Sequence, residues 1–447
     1  MIDTKNRSPH LITPEKRAPD VSDNLKYFWV IAYSLLLITF GLLIETPQGI
    51  VSGLWAIMTS PGNLLTDYMA ISNVGSAFVN SGLLTLIHTL LAKKMKVKMN
   101  GPLTAAIYTM CGFSFFGKNL FNSIPIILGI YLFSKWEKKP FSNYILINLF
   151  GTALAPAVSH ATFGIGLPLP LGLLLGTSIG VIIGLLLPPL SVHFLSFHQG
   201  FNLYNIGFTA GIIGMVITSV LRMYGYEVQY VSHISEGNNG LLASFLYFSF
   251  TILFLIGFIS NNRSFHGLKN LLRSSGKLIS DFIILDGYGI TLINMSLLGF
   301  LATTYVLIVG GQLNGPIVGG ILTIVGFGAY GKHLRNVPPI VAGVFLASIL
   351  TDIAPSSTSS LLAALFGTTL APISGFYGMG FGVLAGFLHM ALVTNVGFLH
   401  GGLNLYNNGF SGGFIAAFMV PLLDNLLNNR KERTNARRAS KSRTDLS

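Results

Sequence analysis

The chain has 447 residues, of which 51% are hydrophobic and only 9% are charged. This composition excludes a soluble globular protein of that length and is typical of a multi-pass membrane protein. The net charge of +12 does not indicate a nucleic-acid partner, because the cations lie in the tails and in loops beside apolar segments. A single cysteine, Cys111, excludes an internal disulfide.

In chain order, a polar and basic tail of residues 1–25 precedes the first apolar run, Tyr27 to Ile44. The tail lacks a small-residue cleavage signature, so we expect this run to be retained as a first span. Apolar runs predict spans at about 27–45, 68–92, 142–158, 169–190 and 201–223. We expect this tail and the basic C-terminal residues 429–447 to be disordered, cytoplasmic and in contact with anionic lipid headgroups.

Two shorter apolar segments, 101–117 and 121–134, follow the second span. The first begins after Asn100, a good N-cap, and ends at Gly117, a good C-terminal residue for a helix. A helix of about 16 residues is ~24 Å long, less than the ~30 Å hydrocarbon core. The pair therefore predicts a re-entrant helical hairpin, which leaves five spans in this half.

The sequence repeats itself. The stretch 197–211 returns almost unchanged as 399–413, and Asn-Gly-Pro at 100–102 returns at 314–316. Gly-Lys at 117–118 returns at 331–332, and Leu-Phe-Gly-Thr at 149–152 returns at 365–368. We therefore divide the chain into a tail (1–25), a first transmembrane repeat (26–226), a second repeat (227–427) and a basic cytoplasmic tail (428–447). Between the repeated segments, 262–280 predicts a short amphipathic surface helix.

The charges of the loops predict opposite orientations for the two repeats. Lys93, Lys94, Lys96 and Lys98 follow the second span of repeat 1, whereas the matching loop of repeat 2, residues 309–312, has no charge. Because cations in short loops mark the cytoplasmic side, we expect inverted-topology repeats with both termini cytoplasmic. The fold class predicted is thus an all-α integral membrane protein of two inverted repeats with short re-entrant or broken helices.

The duplicated Asn-Leu-Tyr-Asn motif carries the side chains that we expect to bind a solute: Asn202, Tyr204, Asn205, Asn404, Tyr406 and Asn407. The asparagines of each copy are three residues apart, which predicts two amides on one helix face beside a glycine-permitted break. Such a broken helix can line a solute site near the middle of the membrane. The alternative is that glycines and asparagines hold neighbouring helices together.

Four charged or amide residues at the hairpins are further candidates for substrate binding: Lys118, Lys332, Asn100 and Asn314. Each lysine follows a short helix and could attract an anionic group, or it could complement the helix dipole and pair with Asp67 or Asp281. Asn100 and Asn314 are either plain N-caps or helix ends facing the substrate. His198 and His400 precede the duplicated helices, where they could gate, titrate or cap the interface.

The sequence offers little support for catalysis or for a cofactor. No Gly-x-Ser-x-Gly elbow or aspartyl pair is present, and His88, His160 and His389 stand alone in apolar helices. No metal-ligand spacing occurs, so we expect no metal and no cofactor. Asp286, Asp352 and Asp424 have no counterpart in the other repeat and leave coupling to H⁺ or Na⁺ open, as the sequence leaves homo-oligomerisation open.

The twice-occurring His-x-Gly-x-Asn-Leu-Tyr-Asn-x-Gly-Phe, with Asn-Gly-Pro and Gly-Phe-x-x-x-Gly-Lys, resembles a bacterial family of multi-pass membrane proteins known only as a domain of unknown function. This resemblance covers nearly the whole chain apart from the tails and implies a prokaryotic membrane protein. The chain is also loosely similar to urea transporters, in its inverted halves, short re-entrant helices and Asn-Gly helix start.

From these observations we expect a transporter of the cell membrane that moves a small polar or anionic solute by alternating access between the repeats. A channel for a small neutral, urea-like solute is the alternative, and an intramembrane enzyme is a distant third.

Overall fold

The computed structural model describes residues 21–62, 65–226, 228 and 232–444, with side chains described as far as residue 427. Every named element in these ranges is helical, and ten segments are long and apolar enough to cross a membrane. The prediction of an all-α integral membrane protein is therefore confirmed.

The helices follow the same order in both halves. The first half contains α1 (Asp23–Ile44), α2 (Pro47–Thr59), α3 (Tyr68–Ile71), α4 (Val74–Lys94), α5 (Gly101–Phe113), α6 (Leu120–Trp136), α7 (Ile145–Gly151), α8 (Ala155–Ser159), α9 (Leu169–Leu195) and α10 (Asn205–Met223). The second contains α11 (Asn239–Ser260), α12 (Leu268–Leu271), α13 (Phe282–Leu285), α14 (Tyr288–Ile308), α15 (Gly315–Phe327), α16 (Val337–Ile349), α17 (Thr358–Gly367), α18 (Ala371–Tyr377), α19 (Met379–Val396) and α20 (Asn407–Thr444). Below, the counterpart of a residue is the one at the same position in the other half.

Each half contributes five of the apolar crossing segments. They are Asp23–Ile44, Val74–Lys94, Phe141–Gly164, Leu169–Leu195 and Asn205–Met223, then Asn239–Ser260, Tyr288–Ile308, Thr358–Tyr377, Met379–Val396 and Asn407–Leu427. The short helices α5, α15 and α16 have 13 residues each, which is ~20 Å of helix and less than a bilayer core. The count therefore agrees with five spans and one short hairpin in each half.

Three segments differ from their predicted structure. The prediction of a surface helix over 262–280 is wrong, because only Leu268–Leu271 is helical. Gly267 and Gly276 lie on either side of it with φ angles of 91° and 73°, a left-handed conformation that breaks a helix. Conversely, α2 lies between the first two predicted spans, where we expected a loop. The C-terminal tail, expected to be disordered, continues α20 as far as Thr444. Most of the N-terminal tail, residues 1–20, lies outside the described residues.

The hairpins begin as the sequence predicts. The Asn100 Oδ1 accepts a hydrogen bond from the Leu103 amide at 3.0 Å, and the Asn314 Oδ1 accepts one from Ile317 at 3.1 Å. Both asparagines are therefore N-caps of their short helices. Gly117 and Gly331 follow the helices with φ of 74° and 96°, a left-handed turn that starts the return arm.

The short helices α5 and α15 cross at the centre of the protein. A Cβ on Gly112 would lie 2.7 Å from the Gly319 carbonyl oxygen, and one on Gly326 would lie 3.1 Å from the Ala105 oxygen. The contacts 112–319 and 105–326 reverse the residue order, so the two helices are antiparallel. Close backbone approach through glycine is typical of helix contacts within membranes, where small residues allow dense packing.

The helices α10 and α20 pack against each other in the same antiparallel sense. Gly211 lies against Phe410, and Gly413 lies against Phe208, its ring 2.1 Å from an added Cβ. Both central pairs thus join counterpart helices that run in opposite directions, as two halves related by a two-fold axis would.

Candidate functional site

The duplicated motif is not helical where we expected it to be. The helix α10 begins at Asn205 and α20 begins at Asn407, while the residues before them, including Asn202 and Asn404, lie in extended or turn conformations. The prediction that the two asparagines of each copy share a helix face is therefore wrong. In each copy two consecutive left-handed residues, Gln199 with Gly200 and Gly401 with Gly402, lie directly before this stretch, and their backbone conformation is incompatible with a helix there.

The first asparagine of each copy joins the two halves. The Asn202 Nδ2 donates to the Gly409 carbonyl at 2.9 Å, and the Asn404 Nδ2 donates to the Gly207 carbonyl at 3.3 Å. The Asn202 Oδ1 also accepts from the Thr369 hydroxyl and the Tyr204 amide. Both side chains are completely buried. The amides that we expected to face a solute thus bind protein atoms across the interface.

The second asparagine of each copy holds a histidine. The Asn205 Oδ1 lies 3.0 Å from the His198 Nε2, and the Asn407 Oδ1 lies 2.8 Å from the His400 Nε2. Both histidine side chains are fully buried, so they do not lie at a solvent-filled mouth. Their position favours a role in closing the turn before α10 and α20.

These contacts predict that Asn202→Ala destabilises the fold and leaves the affinity for solute unchanged. The substitution removes the hydrogen bonds that Asn202 makes to the Gly409 carbonyl and the Thr369 hydroxyl, which costs about 1–3 kcal/mol of unfolding free energy. Thermal unfolding of the purified protein in detergent measures the loss, with Asn238→Ala on the surface as control. A variant of unchanged stability that no longer binds solute would contradict this assignment.

Two lysines lie completely buried beside this interface. The Lys332 Nζ donates to the Tyr204 hydroxyl at 2.5 Å and to the Thr368 hydroxyl at 2.6 Å. The Lys118 Nζ donates to the Thr152 hydroxyl at 2.5 Å. Both side chains are 0% exposed, and within the described part of the chain neither ammonium has a carboxylate within 4.0 Å.

The aspartates weighed as partners of these lysines bind elsewhere. The Asp281 Oδ1 accepts from the Gly101 amide at 3.0 Å at the start of α5, and Asp67 accepts from the Gly315 amide at the start of α15. Each carboxylate therefore complements the N-terminus of the short helix in the opposite half. Burial raises the pKa of both carboxyls, and hydrogen bonds from backbone amides oppose that shift.

Several buried polar atoms near Lys118, and on the side chains of α5 and the turn before α20, lack an ordinary hydrogen-bond partner in the part of the chain that the structure describes. The Asn148 amide nitrogen and oxygen and the His88 Nε2 have no hydrogen-bond partner among the described residues. The Thr109 and Tyr406 hydroxyls lie close enough to interact with each other and have no other partner among those residues. Asn148 lies one helical turn before Thr152, and His88 is close enough to Lys118 for their charges to repel. Tyr406 packs on Phe113 with ring centroids 4.5 Å apart.

The second half repeats this group only in part. The counterparts of His88 and Asn148 are Ala302 and Ala364. The counterpart of Tyr406 is Tyr204, whose hydroxyl accepts from Lys332. His88 and Asn148 are thus specific to the first half. The group formed by Lys118, Thr152, Asn148, His88, Thr109 and Tyr406 is called the Lys118 cluster below.

Sequence reasoning identified Lys118 and Tyr406 and missed the other four members of the Lys118 cluster. Thr152 could have been found, because it belongs to the repeated Leu-Phe-Gly-Thr. Asn148 and His88 stand in apolar runs, and the only signal for them is that their counterparts are alanine.

One histidine expected to stand alone does not. The His389 Nδ1 lies 3.2 Å from the Ser411 hydroxyl, and its Nε2 lies 2.9 Å from the Asn408 Oδ1. The sequence of contacts from Ser411 to His389 to Asn408 resembles a nucleophile, a base and an orienting amide. However, Ser411 and His389 are 0% exposed, and the hydroxyl also contacts the Asn408 carbonyl of its own helix. A hydrogen-bonded contact between α19 and α20 accounts for this arrangement.

Comparison with known proteins matches one family. A family model described as "Protein of unknown function (DUF1576)" matches residues 46–223 and 260–425, which is most of the chain and both halves. No curated protein and no solved structure matches. The resemblance to a family of unknown function is therefore confirmed, while the looser likeness to urea transporters gains no support.

Proposed function

The chain belongs to the DUF1576 family, and we propose that it is a carrier for a small anionic solute, which binds at the Lys118 cluster. The solute crosses the cell membrane by alternating access between two inverted repeats. Its carboxylate or other oxyanion pairs with the Lys118 ammonium, and the Asn148 amide and the Tyr406 hydroxyl hydrogen-bond its remaining oxygens.

The observation that carries the proposal is a fully buried lysine without a counter-charge in the described residues, next to a buried amide without a partner there. A buried ammonium costs several kcal/mol unless an opposite charge pairs with it, and each unpaired polar group adds about 1–3 kcal/mol. Ionisable residues within membranes are functional by default. A bound anion removes both costs at once, which a neutral solute cannot do.

The difference between the two lysines supports a carrier. Lys332 is held by a tyrosine and a threonine, whereas among the described residues Lys118 reaches only Thr152 and the Tyr406 hydroxyl meets no lysine. When inverted repeats alternate, the two halves exchange conformations, so the opposite state would bind Lys118 to Tyr406 and release Lys332 from Tyr204. The Lys118 cluster is fully buried, which fits an occluded site better than an open pore.

The proposal includes an inverted topology with both termini cytoplasmic, supported by the loop charges and by the antiparallel contacts of α5 with α15. The counterpart positions Lys98 and Gln312 test it. We expect Lys98→Cys to react with a membrane-impermeant maleimide only from the cytoplasmic side and Gln312→Cys only from outside. Cys111 is buried and serves as the unreactive background. Labelling of both positions from one side would refute inverted repeats.

Transport itself is tested in proteoliposomes. We expect saturable uptake of one of a panel of small carboxylates and inorganic oxyanions, accelerated by the same anion on the opposite side, with urea as the neutral comparison. Imposed pH and sodium gradients identify any coupling ion. Linear uptake without counterflow would indicate a channel, turnover of a lipid or peptide would indicate an enzyme, and uptake of urea alone would refute the anion site.

The matched variant is Asn148→Ala, which introduces the residue found at the counterpart position 364. Loss of one hydrogen bond to a bound anion should raise the half-saturating concentration about tenfold. Because the Asn148 amide has no partner among the residues that the structure describes, we expect no loss of stability.

A further inference from the structure

A cavity lies between the halves, and its lining includes no member of the Lys118 cluster. Its volume is about 250 Å³, and residues of α1, α5, α11 and α14 form its walls. Five aromatic side chains line it: Trp29, Tyr33, Tyr108, Phe250 and Tyr288. The rings of Tyr33 and Tyr108 stack with centroids 5.4 Å apart and planes 16° from parallel.

The equivalent space, which exchanging the two halves would superpose on this cavity, is filled. Phe40, Phe78 and Phe245 pack there with ring centroids 4.5–4.8 Å apart. Gly41 contacts Gly75 in the first half, and Gly257 contacts Gly289 in the same way in the second. This match makes Ile256 the counterpart of Phe40, Leu292 that of Phe78 and Trp29 that of Phe245. Ile256 and Leu292 line the cavity, so the space exists because smaller side chains replace two rings.

The polar groups of the cavity are neutral. No charged side chain lines it, and the hydroxyls of Tyr33 and Ser249 are buried without a hydrogen-bond partner in the described residues. An uncharged ligand with an oxygen acceptor can satisfy them, and a charged one would find no counter-charge.

The cavity lies beside surface that faces the bilayer. Its lining residues Trp29, Ala32 and Ile252 are partly exposed, next to Phe28 and Leu255, which are exposed apolar residues on the crossing helices α1 and α11. A ligand therefore reaches the cavity from the hydrocarbon phase.

We propose that this cavity binds a neutral, planar lipophile with a carbonyl or hydroxyl oxygen, of the quinone type. Its ring packs among the aromatic walls, its oxygen accepts from Tyr33 and Ser249, and its apolar tail extends between α1 and α11 into the bilayer. This site is independent of the anion site, and its failure would leave the proposed carrier function untouched.

The test uses the fluorescence of Trp29, because quinones quench indoles on contact. The chain has three tryptophans, and Trp55 and Trp136 are exposed, so Trp55→Phe with Trp136→Phe leaves Trp29 alone. In detergent micelles we expect decylbenzoquinone to quench Trp29 saturably. Ile256→Phe with Leu292→Phe introduces the two rings that fill the equivalent space, and it should abolish the saturable quenching.

Two further variants distinguish specific binding of the quinone from other causes of quenching. Tyr33→Phe with Ser249→Ala keeps the space and should weaken binding about tenfold. Leu301→Phe, at a second and wholly separate cavity, should change nothing. Quenching that is linear and equal in the filled variant would refute the site. If hexadecane displaces the quinone, and the quinone binds the hydroxyl variant as tightly as the protein with both hydroxyls, the cavity is an alkyl-chain groove. That result would refute the proposed ligand class.

Discussion

Lys118→Met is expected to reduce anion uptake about 100-fold while leaving the protein as stable as before, or more stable. A hydrogen-bonded charge contributes about 1.5–3 kcal/mol to binding, and 1.4 kcal/mol corresponds to a factor of ten. Replacement of a buried charge by an apolar side chain of similar volume is neutral or stabilising, because the cost of desolvating the charge disappears. Uptake by proteoliposomes and thermal unfolding in detergent give the two values.

Lys332→Met and Lys139→Met are the comparisons. Lys332 is held by protein hydroxyls, so its loss should slow transport but preserve thermal stabilisation by the anion. Lys139 is exposed and pairs with Glu137, and its loss should change neither quantity. A Lys118→Met protein that is strongly destabilised, yet transports normally per folded molecule, would show that the lysine is structural.

Gly112→Ala is expected to cost more than about 3 kcal/mol of unfolding free energy, the largest effect on stability that we predict. The added Cβ would lie 2.7 Å from the Gly319 oxygen and 2.9 Å from its Cα, and both are backbone atoms that cannot move aside. The helices α5 and α15 would have to separate, and both hairpins would shift with them. Denaturant unfolding in mixed micelles measures the change.

The matched control is Gly240→Ala in α11, where an added Cβ meets nothing within 4 Å. Alanine is favoured over glycine by about 0.5–1 kcal/mol within a helix, so this variant should be slightly more stable. Equal stabilities for Gly112→Ala and Gly240→Ala would contradict the close crossing of the short helices.

Much of the candidate site could be predicted because repetition marks it. Lys118, Lys332, Tyr204 and Tyr406 recur with their neighbours, and the structure places Lys332 with Tyr204. Repetition could not distinguish solute binding from packing, because symmetric contacts between halves also repeat. Asn202 illustrates this: its amide bonds the Gly409 carbonyl of the opposite half.

The residues around Lys118 could not be assembled from the sequence, because they come from helices far apart in the chain. His88 belongs to α4, Asn148 to α7 and Tyr406 to the turn before α20. Nothing in an apolar run predicts which polar side chain faces a neighbour and which lies without a partner.

The sequence by itself determined that this chain is an all-α membrane protein in two similar halves with short hairpins. Hydropathy, segment length and glycine, proline and asparagine positions are local properties, and a bilayer makes them decisive, since every backbone group must be paired within a helix. Only the tertiary structure decided which polar groups are satisfied. That outcome depends on contacts between distant helices. In the described part of the chain it left Lys118 without a counter-charge, while the duplicated asparagines found partners.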